Sequence, residues 1–270
     1  MDILIKKAQE FLNTKGFPFE MKVAQILDRV GFDISQSDYY ADPETNKFRE
    51  LDLIASVGTL LYCNLLDFSF IIECKYSENN PWILFKRKGP LTTPTIGIEG
   101  RLSTESARIM QLEMATAKSL FLDSPFFKLP ENIGYGVVQV CEKNIDSAYE
   151  AFHSVSKAAI SHINNTEISY NKSSTNMKIQ IVFPVIAIKG MLLSASLDEH
   201  NKILLEHIKW GTLIKNGPQF NYNSILVDIV PEESLKEYFE ERYNSWDSLV
   251  TKIKNSLPKT KQTYQVKIAG

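Results

Sequence analysis

One short apolar segment constrains the fold of this chain more than any other. It runs from Phe68 to Tyr76, is rich in β-branched and aromatic residues, and ends in Glu73, Cys74 and Lys75. Such a run is typical of a β-strand. Because side chains alternate between the two faces of a strand, Glu73 and Lys75 project together while Cys74 points the other way. Two charged groups at the end of an apolar strand are costly to bury unless something binds them, so the segment predicts a strand with a binding site at its end.

Helical and extended patterns alternate along the rest of the chain. Apolar residues at helical spacing lead up to Gly31, a predicted C-cap, and Thr104 is a predicted N-cap for a second helix. Further helices are predicted over 145–163 and onward from Pro231, and a flexible loop over 91–103. Alternating or continuous apolar runs predict strands, at 49–57, 60–63, 135–140, 178–188 and 225–230.

Two segments leave more room for interpretation. Residues 191–210 favour a hairpin that turns at 198–201 over a helix, and Pro184 predicts an edge position or a bulge for its strand. No repeat, low-complexity segment or linker divides the sequence. These patterns predict a single α/β domain.

Composition excludes several classes of protein. The 270 residues carry a net charge of −2, which argues against a strongly basic nucleic-acid-binding protein but allows a local basic groove. Cys63, Cys74 and Cys141 are widely spaced and odd in number, so neither a disulfide framework nor a zinc ribbon is predicted. The first residues lack a secretory pattern and the apolar runs are only strand-sized, so we expect a cytoplasmic protein.

A second acidic residue is placed to join the charged strand end. Asp52 lies in the strand predicted over 49–57, and 73 − 52 = 21 positions separate it from Glu73, with turns between them. Adjacent carboxylates repel each other unless a cation lies between them. Mg²⁺ or Mn²⁺ suits such oxygen ligands and also accepts phosphate oxygens. Lys75 would orient or help to deprotonate an attacking water and add positive charge near the reacting phosphate.

These residues resemble the motif of a known family. Asp52, followed by Glu73-Cys74-Lys75 after an apolar pair, is similar to the signature of the PD-(D/E)xK, or restriction-endonuclease-like, nuclease superfamily. Leu51 stands where many members have proline, and the resemblance covers roughly the first half of the chain. It implies an α/β fold with a mixed β-sheet flanked by helices, here extended by C-terminal strands.

The resemblance also implies roles for individual residues. Asp52 and Glu73 would ligate the metal together with the main-chain carbonyl of Cys74, and Lys75 would hold the nucleophilic water. Glu20, on the helix before the sheet, would complete the catalytic group and bind through water or a second metal. An acid in the first turn of a helix is also expected from the helix dipole alone, so this alternative stays open.

Three other features have two interpretations each. Trp82 and the basic cluster Lys86, Arg87 and Lys88 predict either a nucleic-acid-binding groove or a core tryptophan beside a solvated turn. Asp228 is either a second acidic site or a hydrogen-bonded acid in an apolar strand. Glu50 shares the face of Asp52, but we expect it to pair with a neighbouring cation.

The sequence therefore predicts a magnesium- or manganese-dependent endonuclease. We expect DNA rather than RNA as substrate, because most members of the superfamily act on DNA and no RNA-binding module is recognisable. A role in restriction, in defence or in repair is compatible with the resemblance, and so is a homodimer or a protein partner that supplies specificity. The nuclease core is predicted over 16–141, a C-terminal elaboration over 142–257 and a mobile tail over 258–270. The rivals are a catalytically inactive nucleic-acid-binding member, an RNA-directed nuclease and an unrelated α/β protein.

Overall fold

A computed structural model of the chain describes residues 2–13, 16–61, 64–89, 91, 93–140, 147–171, 178–217 and 222–256. Cys63, Cys141 and the tail predicted over 258–270 lie outside these ranges. The helices are α1 (Asp2–Asn13), α2 (Phe17–Val30), α3 (Ile96–Glu99), α4 (Glu105–Thr116), α5 (Lys118–Phe121), α6 (Ser147–Asn171) and α7 (Glu232–Ser256). The strands are β1 (Asp33–Ala41), β2 (Phe48–Leu61), β3 (Asn64–Tyr76), β4 (Trp82–Lys86), β5 (Leu102–Ser103), β6 (Ile133–Gln139), β7 (Lys178–Lys189), β8 (Leu192–Leu197), β9 (Ile203–His207), β10 (Gly211–Gly217) and β11 (Tyr222–Pro231).

All the strands within the described ranges belong to one mixed sheet. Its order is β1-β2-β3-β7-β11-β10-β6-β4-β8-β9, with β5 paired to β7. Strands β3, β7 and β11 run parallel, whereas β1, β2 and β3 form an antiparallel meander. The expectation of an α/β fold with a mixed sheet flanked by helices is confirmed at this level.

The C-terminal strands lie inside the sheet rather than beyond its edge. Strand β7 pairs with β3 along its whole length, from Leu65–Lys178 to Tyr76–Lys189, and β11 and β10 follow before β6. The cause is the composition of β7, which is apolar on both faces. Both faces must therefore be covered, and this condition is met in the interior of the sheet. The strands of the predicted core over 16–141 are thus interleaved with those of the predicted elaboration.

Pro184 lies in this central strand and not at an edge, contrary to one of the two positions predicted for it. On the side of β7 away from β3, strand β5 pairs with Ile181 and Val182, and β11 begins its pairs at Val185. Pro184 falls between these two partners. The ladder is interrupted there, which is where a residue without an N–H is tolerated.

Two hydrophobic layers cover the sheet. On one face, α2, α4, α5 and α7 pack over an aromatic cluster in which Phe68, Phe70 and Phe183 lie at the centre. On the other face, α6 packs over Ile71, Ile186 and their neighbours. Within the described ranges, no helix is long and apolar enough to cross a membrane.

Several predicted element boundaries are confirmed. Helix α2 ends at Gly31, whose φ is +112°, and the side chain of Thr104 accepts the Ala107 N–H at the start of α4. Residues 191–210 form the β8–β9 hairpin. Helix α7 begins directly after Pro231 and buries its apolar face.

Other boundaries were predicted wrongly. Gly58 does not end a strand, because β2 continues through it to Leu61 opposite β3. A side chain at Gly58 would lie 3.2 Å from the Leu66 carbonyl oxygen, so the glycine allows a close approach of the two strands rather than a turn. Strands β1, β4 and β10 were not predicted, and the loop expected over 91–103 contains α3 and β5.

Gly31 fixes the position of α2, and with it Glu20, against α7. We expect Gly31→Ala to lower the free energy of unfolding by about 2 kcal/mol, because alanine is strained at positive φ and its Cβ would lie 2.6 Å from the Tyr243 hydroxyl. Gly89→Ala is the matched control, because Gly89 has a φ of +82° but open space around it. Urea unfolding should show a loss of only about 1 kcal/mol for the control. Equal losses in the two variants would contradict the contact with Tyr243.

Candidate active site

The sheet divides into two branches at the residues predicted to carry the chemistry. The pairs between β2 and β3 run from Leu61–Asn64 to Leu53–Ile72 and then stop. Beyond that point β2 stays paired with β1, and β3 stays paired with β7. We call the opening between the two branches the fork. Asp52 and Glu73 are the first residues of β2 and β3 beyond the last pair, so they face each other across it.

Asp52 turns its side chain into the fork. Ser37, which would be its partner on β1, has a φ of +53°, an uncommon value for a residue with a side chain. Leu51 and Leu53, on either side of Asp52, pack into opposite layers, so the alternation of β2 is broken at this residue. The Asp52 carboxylate accepts the Cys74 N–H at 2.6 Å, replacing the carbonyl that a continued ladder would offer.

Glu73 and Lys75 share the face of β3 that α6 covers. Lys75 Nζ lies 2.6 Å from Glu73 Oε1, and Ser154 of α6 donates its hydroxyl hydrogen to Glu73 Oε2 at 2.9 Å. The Glu73 side chain is 8% exposed and that of Lys75 is 30% exposed, so the lysine links a buried carboxylate to solvent. Ser154 was missed by the sequence reasoning, because one serine in a helical pattern carries no sign of what it will contact.

Burial and mutual repulsion raise the pKa values of the acids. The pKa of Asp52 rises to about 7, through burial first and then through the charge of Glu73, although the Cys74 N–H opposes the rise. Burial also raises the pKa of Glu20, and the charges of Glu50 and Glu73 add to the effect. Burial alone would lower the pKa of Lys75, but attraction to Glu73 and Asp52 outweighs it and the pKa is raised. The site therefore has more acids than Lys75 can neutralise.

The environment of the Cys74 thiol disfavours its ionisation. Burial raises its pKa well above the ordinary value, and the neighbouring carboxylates Asp52, Glu20 and Glu73 add to the shift. A thiolate would therefore be disfavoured at neutral pH. The useful group of Cys74 is its main chain: the N–H and C=O of a strand residue point to the same side, so its carbonyl faces the fork with Asp52.

The donor atoms fit a hard divalent cation. Within the described ranges, no three histidine, cysteine or acidic side chains converge into a ready-made metal cage. Magnesium does not need one, since it commonly takes one or two carboxylates and keeps several waters. Asp52, Glu73 and the Cys74 carbonyl supply that number of oxygens. Burial and the charge of Glu73 raise the pKa of Asp52, and a cation bound at these oxygens would favour its ionised form.

A cleft of about 410 Å³ leads to Glu73 and Lys75 between the β1–β2 hairpin and α6. The hairpin is tied to the helix by Asp42, which is buried, accepts a hydrogen bond from Arg49 Nε at 2.7 Å and lies 3.5 Å from Lys157 Nζ. Burial would raise the pKa of Asp42, but hydrogen bonds and these cations lower it to about 2. The cleft is lined by Tyr40, Asp42, Arg49, Glu73, Lys75, Tyr149, Glu150, His153, Ser154 and Lys157.

The structure separates the predicted nucleic-acid-binding residues from this cleft. Trp82 is completely buried between β6 and β8, so it cannot stack on a base in this conformation. Strand β4 lies five strands from β3, roughly 24 Å across the sheet. It runs in the same direction as β3, so Lys86, Arg87 and Lys88 lie at the same end of the sheet as the fork.

The two other acids are placed differently. Asp228 is completely buried, accepts hydrogen bonds from Thr212 and Tyr238, and forms an ion pair with Arg101 at 3.0 Å. The interpretation as a hydrogen-bonded acid in an apolar strand is confirmed. Glu50 is exposed and makes no ion pair with any described residue, contrary to the expectation. Its charge acts on Glu20 instead.

Comparison with known proteins adds no relative. No protein-family model, curated protein or solved structure matches the chain. The resemblance to the PD-(D/E)xK superfamily therefore rests on the motif residues of the sequence alone.

The raised pKa of Asp52 makes stability depend on pH. In the unfolded chain this carboxyl loses its proton near pH 3.8, whereas the folded chain keeps it until about pH 7. Between these values the folded state binds more protons, so the free energy of unfolding falls as pH rises. We expect Asp52→Asn to be more stable than wild type at pH 8, by on the order of 1–2 kcal/mol after allowing for partial exposure, and to gain nothing at pH 4.

Urea unfolding at several pH values measures this difference. Asp33→Asn is the control, because Asp33 is an exposed acid on the neighbouring strand β1. A stability difference between Asp52→Asn and wild type that does not change with pH would contradict the raised pKa.

Proposed function

We propose that this protein is a metal-dependent nuclease that hydrolyses phosphodiester bonds. The observation that carries the proposal is the fork, where the Asp52 carboxylate and the Cys74 main chain meet at 2.6 Å and Glu73 holds Lys75 at the same distance. Two acids, a carbonyl and a lysine at the divided end of a strand pair are the groups that metal-assisted phosphodiester hydrolysis requires.

Most of the site residues would have a role in metal binding. Asp52, Glu73 and the Cys74 carbonyl would hold Mg²⁺ or Mn²⁺, and Glu20 would bind through water or a second metal. The bound cation would supply positive charge at the reacting phosphate and a more acidic water. Ser154 keeps the Glu73 carboxylate in place through its hydrogen bond to Oε2.

Lys75 is the group that would act on the nucleophile. Its raised pKa keeps the ammonium protonated at neutral pH, so it donates hydrogen bonds rather than acting as a base in the resting site. An ammonium at this position can orient a water by donating a hydrogen bond to the water oxygen. It can also stabilise negative charge on the phosphate oxygens as the phosphodiester bond breaks. Its ion pair with Glu73 keeps it beside the acids until a substrate arrives.

The substrate class is a nucleic acid, with DNA proposed before RNA. Arg49 and Lys157 line the cleft next to Glu73 and Lys75, where they can contact phosphates. Lys86, Arg87 and Lys88 lie at the same end of the sheet, at a distance equal to about seven base pairs of B-form DNA. Endonucleolytic cleavage in restriction, defence or repair is the setting that the motif suggests.

We expect Lys75→Ala to lower the rate of DNA cleavage by at least about 100-fold while the protein stays folded, because it removes the group that orients the water and stabilises the phosphate charge. Plasmid, linear duplex, single-stranded DNA and RNA are each incubated with Mg²⁺ or EDTA, and cleavage is followed on gels. Lys189→Ala is the matched control, since Lys189 ends the neighbouring strand opposite Tyr76.

The outcomes separate the candidates. Cleavage of RNA alone would favour the RNA-directed nuclease. Binding of nucleic acid without cleavage, equal in wild type and Lys75→Ala, would favour an inactive nucleic-acid-binding protein. Equal cleavage by Lys75→Ala and wild type would overturn the role of the lysine.

We also expect Mn²⁺ to raise the melting temperature of the wild type and not that of Asp52→Ala. A ligand that binds only the folded state stabilises it by about 2.7 kcal/mol at a hundredfold excess over its Kd. Each variant is compared with its own metal-free melting curve, and Asp33→Ala should respond like the wild type. The same response in Asp52→Ala and wild type would favour the remaining alternative, an unrelated α/β protein whose strand charges bind no metal.

A further inference from the structure

The strand β9 forms an unusually apolar free edge of the sheet. It is the last strand in the sheet order, and all five of its residues are exposed. Ile203, Leu204 and Leu205 follow one another with 66%, 41% and 53% of their surfaces exposed. Edge strands present unpaired backbone groups, and proteins usually protect them with lysine, proline or a bulge. None of these interrupts β9 between Ile203 and Leu205.

The register of the hairpin shows which backbone groups are free. The Asp198 N–H donates to the Lys202 carbonyl and the Ile208 N–H to the Leu192 carbonyl. Because hydrogen-bonded pairs alternate along an antiparallel ladder, Leu204 and Glu206 also direct their backbone groups toward β8. The N–H and C=O groups of the intervening residues, Ile203, Leu205 and His207, therefore point outward. They are spaced symmetrically about Leu205.

The opposite edge of the sheet is different. Strand β1 carries Asp33 and Asp38, and Ser37 has a positive φ that distorts the strand. Charge and irregularity of this kind prevent pairing with another strand. Of the two edges, only β9 is regular and apolar.

We propose that β9 pairs with β9 of a second copy of this chain, antiparallel and about a two-fold axis at Leu205. Leu205 would then face Leu205 of the second copy, and Ile203 would face its His207 on either side. Each of these pairs would exchange two backbone hydrogen bonds. An interface in which one patch meets itself is the usual form of a two-fold dimer.

On balance, the charges next to the apolar residues also favour this register. Lys202 and Glu206 lie on the same face of the strand. In the paired arrangement Lys202 of one copy is the diagonal neighbour of Glu206 of the other, and symmetry repeats this attractive pair. The two Glu206 side chains are also diagonal neighbours of each other, so two attractive contacts stand against one repulsive contact. Opposite charges at such positions stabilise a strand pair. In a parallel arrangement in register, each charge would instead meet its like, which favours the antiparallel one.

The dimer would leave the fork open on both copies. Strand β3 lies seven strands from β9, roughly 34 Å across the sheet. The two sheets would join into one, with a fork toward each outer end. The inference goes beyond the proposed function and needs no assumption about the reaction.

A charge-pair experiment tests this arrangement. The mass in solution of the full-length chain is measured by sedimentation over a roughly hundredfold range of protein concentration. Wild type is expected at twice the monomer mass of 30.7 kDa. Leu205→Lys and Leu205→Glu, each alone, place like charges opposite each other at the two-fold axis, and the Kd of each dimer should rise at least about 100-fold. An equimolar mixture of the two should form a heterodimer.

The control is Leu60→Lys, because Leu60 is 71% exposed on β2 and lies far from β9. It should remain dimeric. Recovery of the dimer on mixing excludes misfolding as the cause of dissociation. A monomeric wild type at the highest concentration, a dimeric Leu205→Lys, or a mixture that stays monomeric would each overturn the proposal.

Discussion

The structure depends on the early end of the ladder between β2 and β3. A continued ladder would pair Asp52 with Glu73 and satisfy the Cys74 N–H with a backbone carbonyl. Because the branches separate after Leu53 and Ile72, that N–H needs another acceptor. An N–H left without a hydrogen-bond partner would destabilise the fold by roughly 1–3 kcal/mol. The Asp52 carboxylate supplies it at 2.6 Å. The opening that exposes the site is thus stabilised by one of the residues that the site uses.

The central position of β3 explains why the charges lie where they do. Its length is covered by β2, β7 and helices on both faces, so a charged residue on this strand needs a partner. Asp67 is paired with Lys178, and Ser154 and Lys75 satisfy the two oxygens of Glu73. Ion pairs from Lys157 of α6 to Asp42 and Glu44 hold the hairpin against the helix, which keeps the cleft to Glu73 formed.

The part of the site that could be predicted from sequence is the part that local patterns encode. Alternation along one strand put Glu73 and Lys75 on a shared face, and the spacing to Asp52 allowed an adjacent strand. Ser154 could not be predicted, because it is 81 positions from Glu73 and depends on how α6 lies over the sheet. The interpretation of Trp82 as a nucleic-acid-binding residue was wrong for the same reason. An aromatic residue followed by basic residues has the same sequence pattern whether or not strands such as β6 and β8 cover it. The insertion of β7 beside β3 is likewise a long-range pairing.

The ion pair of Lys75 and the raised pKa of Asp52 have a common cause. Asp52 and Glu73 both lie at the fork, and the close ion pair of Lys75 is with Glu73. Asp52 keeps a proton toward neutral pH because burial and the charge of Glu73 raise its pKa more than Lys75 lowers it. In the proposed function Asp52 and Glu73 would both serve as ligands of a divalent cation, so Asp52 would be ionised and the ion pair of Glu73 with Lys75 would be weakened. Lys75 would then be free to turn toward a water or a phosphate, so the acid that restrains it in the resting site is the one whose ligation would release it.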